Sequence, residues 1–367
     1  MTITVSDAWA KGLGIFLLGF ALGLGIGLAP QHAHCPEPHP APKPAPPAPK
    51  PEPAPPAPKP KPPFPSSWRP DPMDDSFAHA HLCGWIGDGG HAPIAESLPR
   101  LYQAGPGLAA DPGQTVLLYK VWTELYSGFP DYPPQQIGDC VSFGHGHGND
   151  LLEAIQAYLG DLDFAAVHQT DTEWIYGASR KVAGMLGRQD GSYGSAAVKA
   201  MTTLGMLSRY ALGENGAYSG SRAREWGMYG PPEDLGSIAA HYKLGSAARV
   251  TDVEGAIAAL QAGHPFTICT SLGFAMTRDA DGFCGRHGHW GHCMFVSAYR
   301  ADKPGFCVMQ SWGPDQPSGP TWGDQPTWSF WITAEDLRSI LDEGDSWALS
   351  GSPGFAPRSL PGALLKA

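Results

Sequence analysis

Cysteine, glutamine and histidine at three places along this chain have the chemistry for acyl transfer. Cys140 lies in Gln135-Gln136-Ile137-Gly138-Asp139-Cys140-Val141-Ser142. Just downstream, Leu151, Leu152, Ile155, Tyr158 and Leu159 recur at helical spacing. A thiol at a helix start faces unpaired backbone N–H groups and the positive end of the helix dipole, and both favour thiolate. Cys140 is therefore expected to be a nucleophile of lowered pKa. Gln135 and Gln136 are both placed to donate a side-chain N–H to a developing oxyanion, and the sequence leaves the choice open. His292 opens the strand-like run Gly291-His292-Cys293-Met294-Phe295-Val296, and Gln310 ends the next one. A hairpin would set these two residues side by side. The Gln310 side-chain carbonyl would then fix the imidazole tautomer, with Trp312 shielding that bond from water. This is the logic of nucleophile, base and orienting group. No piece is specific alone, because a free cysteine is more often a small buried core residue.

The elements that must position these groups come in two kinds. Helical spacing dominates early, around Leu151 to Leu159, and returns at Ala256, Ile257 and Leu260 before the break at Gly263-His264-Pro265. Strand-like runs gather later, at 266–270, 293–299 and 305–310. This order suggests an α+β fold. Gly144, Gly146 and Gly148 each cost about 1 kcal/mol of helix propensity relative to alanine. Either a neighbouring segment approaches closely there or the helix start is mobile. Asp139 reads as a loop or cap residue. The pairs His79/His81, His145/His147 and His287/His289 have no acidic or cysteine partner at ligand spacing. They read as solvated or packing histidines, with no metal or cofactor implied.

Composition limits the rest. A chain of 367 residues with a formal charge of −11 has no basic stripe to follow phosphates, which argues against nucleic acid as a partner. The seven cysteines are an odd number and include no C-x-x-C. After a tail of residues 1–12, residues 13–29 are uncharged and apolar, short but sufficient for a transmembrane helix or signal anchor, with a cleaved signal peptide as the alternative. Gly19, Gly23 and Gly27 share one face of that helix and would suit a homodimer contact. Residues 30–65 are a Pro-rich linker, with 17 prolines between Pro36 and Pro65. As polyproline II it would reach on the order of 90 Å and hold the following domain off a membrane, outside the cytoplasm. Residues 66–114 are expected to wrap a main domain at 115–351, followed by a tail at 352–367.

The ordered motifs resemble those of the papain-like cysteine peptidases over roughly residues 115–350. The resemblance rests on glutamine ahead of Cys140, Gly291-His292 before a strand, Gln310-Ser311-Trp312-Gly313, and Trp322-Gly323. Asp190-Gly191-Ser192-Tyr193-Gly194 resembles the turn and helix that line the family's cleft, and Glu173 to Arg180 the helix before it. The Gly-Asp-Cys form is similar to compact bacterial and phage members. The resemblance implies a two-lobed fold, a helical lobe and a β-rich lobe with the cleft between them. It implies a peptide or protein substrate cleaved through an acyl-enzyme on Cys140, with His292 as base and then acid. Gly191, Ser192, Tyr193, Gly194, Gly291 and Trp312 would line the substrate site. The chain departs from the family in three ways: it has Gln310 for the usual asparagine, Pro134 where the glutamine usually stands, and no propeptide helix pattern in 66–115. Latency by a propeptide is therefore not expected. A peptidoglycan amidase or endopeptidase of a Cys-His family, and an inactive binding module of a virus particle or cell surface, are the alternatives.

Overall fold

The computed structural model describes residues 79–126 and 128–366. The expected anchor at 13–29, its glycines 19, 23 and 27, and the proline-rich linker lie outside the described residues. Among the described residues no helix is long and apolar enough to cross a membrane.

Short helices α1 (Ala92–Glu96), α2 (Leu101–Ala104) and α3 (Lys120–Leu125) precede the long helix α4 (Cys140–Leu159). Next come α5 (Thr172–Val182), α6 (Gly194–Thr203), α7 (Gly220–Tyr229) and α8 (Glu233–Ala239), then α9 (Val253–Gln261) and α10 (Ala334–Leu341). The strands are β1 (Thr115–Leu117), β2 (Ser246–Arg249), β3 (Phe266–Phe274), β4 (Arg286–Arg300), β5 (Gly305–Met309), β6 (Ser329–Thr333), β7 (Trp347–Ser350) and β8 (Leu365–Lys366). They form one antiparallel sheet in the order β2-β7-β3-β4-β1-β8, with β5 joining β4 to β6. All the strands but β1 gather in the second half of the chain, as the α+β reading expects.

Helix α4 is the element on which the site depends. It is buried from Cys140 to Leu152, so it passes through the middle of the domain. Its glycines allow this. A Cβ on Gly144 would sit 2.9 Å from Cys293 Sγ, and one on Gly148 would sit 3.2 Å from Leu349 Cδ1. A Cβ on Gly146 would sit 3.0 Å from Thr172 Cγ2, so close approach to β4, α5 and β7 explains the glycine run. Gly160, at φ 81°, ends the helix in the left-handed conformation, and its N–H bonds back to Ala157 and Gln156.

Strand β4 is the hub of the sheet. Its first part pairs with β3, Cys269 lying opposite Cys293 and Thr270 opposite His292. Its last part pairs with β5 and β1. The strand begins at Arg286, earlier than His292. Register shifts at Leu272 let β3 continue to pair with Arg286 and His289, an irregularity that an apolar pattern does not reveal.

Both flanks of the central domain are integrated with it. Residues 352–366, set apart above as a tail, bury Phe355, Leu360 and Leu364 and add β8 to β1. On the other side, Leu82 and Leu101 enter the main core.

Candidate active site

Cys140 is the first residue of α4 and fully buried. Asp139 stands at the N-cap position, but its carboxylate does not cap the helix and accepts a hydrogen bond from Tyr218 OH at 2.9 Å. The cover over Cys140 is a strap, residues 82–86, which runs extended from Cys83 after a short 3-10 turn at Ala80–Leu82. The Gly84 N–H donates to Cys140 Sγ at 3.2 Å, and the thiol lies 3.8 Å from Gly291 O. Trp85 N–H donates to Gly291 O at 2.8 Å. Ser192 N–H donates to Gly84 O at 2.8 Å, and Ile86 N–H donates to Ser192 O at 3.2 Å, giving a parallel bridge between Trp85 and Ser192. The strap thus pairs by its main chain with both walls of a cleft. Gly84 must be glycine for this approach, since a Cβ there would meet Gly138 O at 1.9 Å. The segment expected only to wrap the domain occupies its cleft.

This cover reverses the expected ionisation of Cys140. Burial pushes the thiol well above its ordinary value, the neighbouring Cys293 and Cys83 thiols add to the rise, and the N–H groups of Cys293 and Gly84 oppose it only in part. Desolvation outweighs the helix terminus because the strap excludes water.

Gln135 faces the cleft and Gln136 does not. The Gln135 Nε2 donates to Leu82 O at 2.6 Å and to Ile137 O at 2.8 Å, while its own amide donates to Ser311 O. Its Oε1 accepts from Ser311 Oγ. Gln136 turns the other way, its Oε1 accepting from Gly220 N at 3.1 Å. The proximity that made both candidates equal in sequence is resolved by opposite side-chain directions in an extended segment.

His292 is fully buried on β4, its ring stacked on Trp312 at 4.4 Å between centroids and edge-on to Trp290 at 5.7 Å. Neither ring nitrogen has a hydrogen-bond partner. Burial, then the nearby His79, lowers its pKa to about 3. The expected bond to Gln310 is not made. Gln310 Oε1 accepts from Trp312 N at 3.0 Å, and its Nε2 donates to Gln316 O at 2.5 Å. The extra methylene, relative to asparagine, lets the amide fold back on its own loop. Trp312 does cover the histidine as expected. In the strap-closed state the site therefore holds a neutral imidazole and a protonated thiol that are not hydrogen-bonded to each other.

The cleft wall at Gly191–Gly194 is held by residues whose role the sequence did not disclose. Tyr176, Ser179 and Arg180 lie on one face of α5. Tyr176 OH accepts from Gly191 N at 2.9 Å, Ser179 Oγ accepts from Ser192 Oγ at 2.8 Å, and Arg180 donates to the carbonyls of Gly227, Met185, Gly187 and Gly191. Arg180 is almost fully buried, and its fork shapes the loop that presents Ser192. Tyr193 OH donates to Asp88 Oδ1 at 3.1 Å, another strap-side contact. Gly194 N–H donates to Asp345. The sequence offered a faint sign of this support in the i, i+3, i+4 spacing of Tyr176, Ser179 and Arg180.

A buried cysteine at a helix start, a histidine on the adjoining sheet under a tryptophan, and a glutamine amide bonded to the Leu82 carbonyl next to the strap mark this part of the fold. The fold resembles that of the papain-like cysteine peptidases. Solved structures similar to this chain include xylellain, a cysteine protease from Xylella fastidiosa, at 17% identity and a TM-score of 0.48, covering 66% of this chain and 87% of that one. ProCathepsin B S9 from Trypanosoma congolense is similar at 11% identity and a TM-score of 0.47, over 76% of this chain and 88% of that one. So is the proform of the ragweed pollen cysteine protease Amb a 11, at 15% identity and 0.48, over 75% of each chain. The sequence matches no family model and no curated protein.

The histidine pairs separate by environment. His145 is a core residue, its Nδ1 2.7 Å from Val141 O and its Nε2 3.0 Å from Thr267 Oγ1. His147 stacks on Tyr132 at 3.6 Å. His79 stacks on Trp312, while His81, His287 and His289 are exposed. Among the described residues no group of three or more potential ligands forms a metal site.

Proposed function

We propose that this papain-like domain is a cysteine peptidase held latent by its own residues 82–86. The observation that carries the reading is the strap itself. An extended main chain lies across Cys140 and pairs with Gly291 and Ser192, so the cleft is built to hold an extended peptide at a thiol. The strap presents an amide N–H to the sulfur, where attack would require a carbonyl carbon.

With a substrate in place of the strap, Cys140 Sγ would attack the scissile carbonyl as its proton passes to His292. The oxyanion would take hydrogen bonds from Gln135 Nε2, released from Leu82 O, and from the Cys140 N–H. His292 would then give its proton to the leaving amine, and water would release the acyl group by the reverse path. A turn of the His292 ring toward Cys140 is needed for this. Its unpartnered nitrogens and its stacking on Trp312 leave it without a hydrogen bond to break. The apolar run at 13–29 and the proline-rich linker support a tethered placement of the domain outside the cytoplasm.

A second reading has its own support. Gln310 bonds to its own loop and not to His292, which suits a binding module that has kept the fold without turnover. One experiment separates the two. The full chain and a strap variant (Gly84→Ala with Trp85→Ala) are treated with an epoxysuccinyl cysteine-peptidase probe and assayed on casein. The peptidase reading expects labelling of Cys140 and hydrolysis in the strap variant, with far less of each in the unaltered chain. An opened cleft that neither labels nor cleaves leaves the binding module.

A further inference from the structure

Trp85 does more than lie over the cleft. It is buried in the same apolar cluster as Cys140, Ala197, Cys269 and Trp347, and its indole N–H donates to Asp345 Oδ2 at 2.8 Å. Asp345 is fully buried. Its two oxygens accept four hydrogen bonds: Trp85 Nε1 and Gly194 N at Oδ2, and Ser195 N and Trp347 Nε1 at Oδ1. Three of these donors belong to the fixed frame, two at the N-terminus of α6 and one on β7. The fourth arrives with the strap. When the strap withdraws, a carboxylate at the floor of an apolar pocket loses one of its four donors, and a buried acceptor without a partner is strongly disfavoured.

We infer that Asp345 is a specificity-determining residue, and that the pocket filled by Trp85 takes a substrate side chain with a large planar body and a single N–H donor, tryptophan above all. This rests on the peptidase reading of the cleft. Phenylalanine would fill the space and leave the acceptor bare. Arginine would bring up to five N–H groups to an oxygen with one place open, and the remaining donors would face apolar walls. The charge of Asp345 is already met by the amides at the start of α6, so a cationic side chain is not required. The strap thus displays, in its own sequence, the side chain that the pocket selects.

The test uses the full chain carrying Gly84→Ala and Trp85→Ala, with a peptide library randomised at each position. At one position tryptophan is expected to exceed phenylalanine, leucine and arginine by tenfold or more in kcat/KM. Asp345→Asn on the same background is expected to bring tryptophan and phenylalanine within twofold. Equal rates for tryptophan and phenylalanine before that change, or a preference for arginine, would overturn the inference. Asp345 also holds the start of α6, so thermal unfolding of the Asn variant is followed alongside. A second measurement needs neither turnover nor that variant. Trp85→Phe alone, in the otherwise unaltered chain, keeps the ring and removes the donor. It is expected to speed alkylation of Cys140 at least tenfold, and an unchanged rate would count against the pocket. If the opened variant cleaves nothing while Trp85→Phe still speeds alkylation, the peptidase reading fails and the donor-selecting pocket stands.

Discussion

Two cysteine–histidine pairs lie close to strand β4, and they differ in an instructive way. Cys293 Sγ is 3.8 Å from His145 Nδ1, in contact and sealed beneath α4 by Gly144. Its burial favours the thiol, yet hydrogen bonds from Cys269 and His145 outweigh that and lower its pKa. Cys140 and His292 share no hydrogen bond, and burial moves both away from the charged pair that catalysis would need. Judged by contact alone, Cys293 and His145 would be chosen. The peptidase reading proposed above rests on the cover instead. Cys293 is enclosed by permanent core, whereas Cys140 is enclosed by a strap that crosses it through glycine and hydrogen bonds. A nucleophile needs a route for its substrate, and Cys140 has one whenever the strap leaves.

The sharpest way to break this comparison is to remove each thiol in the strap-opened chain. Cys140→Ala is expected to abolish peptide hydrolysis, while Cys293→Ala should retain more than a tenth of it. Loss of activity only in the Cys293 variant would exchange the two assignments. Next in size is the pair of glutamines. Gln135→Ala should lower kcat by about 10²- to 10³-fold, as for loss of an oxyanion donor, and Gln136→Ala should change it less than twofold; equal effects would mean that neither serves the oxyanion. Gly84→Ala alone, which drives a methyl into Gly138 O, should raise alkylation of Cys140 by about an order of magnitude and leave Cys293 unlabelled, as peptide mapping by mass spectrometry would show. A strap that tolerates the methyl would leave both thiols equally protected.

The last effect is one of pH. His292 takes up a proton at about 3 while buried, but near its ordinary 6.5 once exposed to water. Between those values the open state binds a proton that the closed state refuses. The closed state is thus favoured near neutrality and loses about 1.4 kcal/mol per pH unit as the pH falls through this window. Hydrogen exchange at the amides of Gly84 and Trp85, corrected for intrinsic rates, should be faster at pH 5 than at pH 7. Exchange independent of pH would place His292 outside the reach of strap opening.

What the sequence disclosed follows from how local each signal is. The helix at Cys140, the turn at Gly191 and the β4–β5 hairpin are each written in one short run, and each is found. The direction of Gln135 as against Gln136 depends on contacts with Leu82 and Ser311, far away in the chain. The fold-back of Gln310 depends on where the Gln316 carbonyl falls. Strap residues Gly84 and Trp85 carry no motif, and their partners Gly138, Gly291, Ser192 and Asp345 are scattered over the domain. The expectation of a thiolate failed for a related reason: the helix terminus is local, and the burial that overrides it is supplied by a distant segment.

Because the strap is covalently continuous with α1 a few residues on, its grip on the cleft does not depend on how concentrated the protein is. A tethered segment of this kind acts at an effective concentration on the order of millimolar. A free peptide at micromolar levels that fits no better than the strap would be outcompeted by it. On the peptidase reading, dilution would leave the cleft shut, and opening would come from a local event such as cleavage of the strap or protonation of His292.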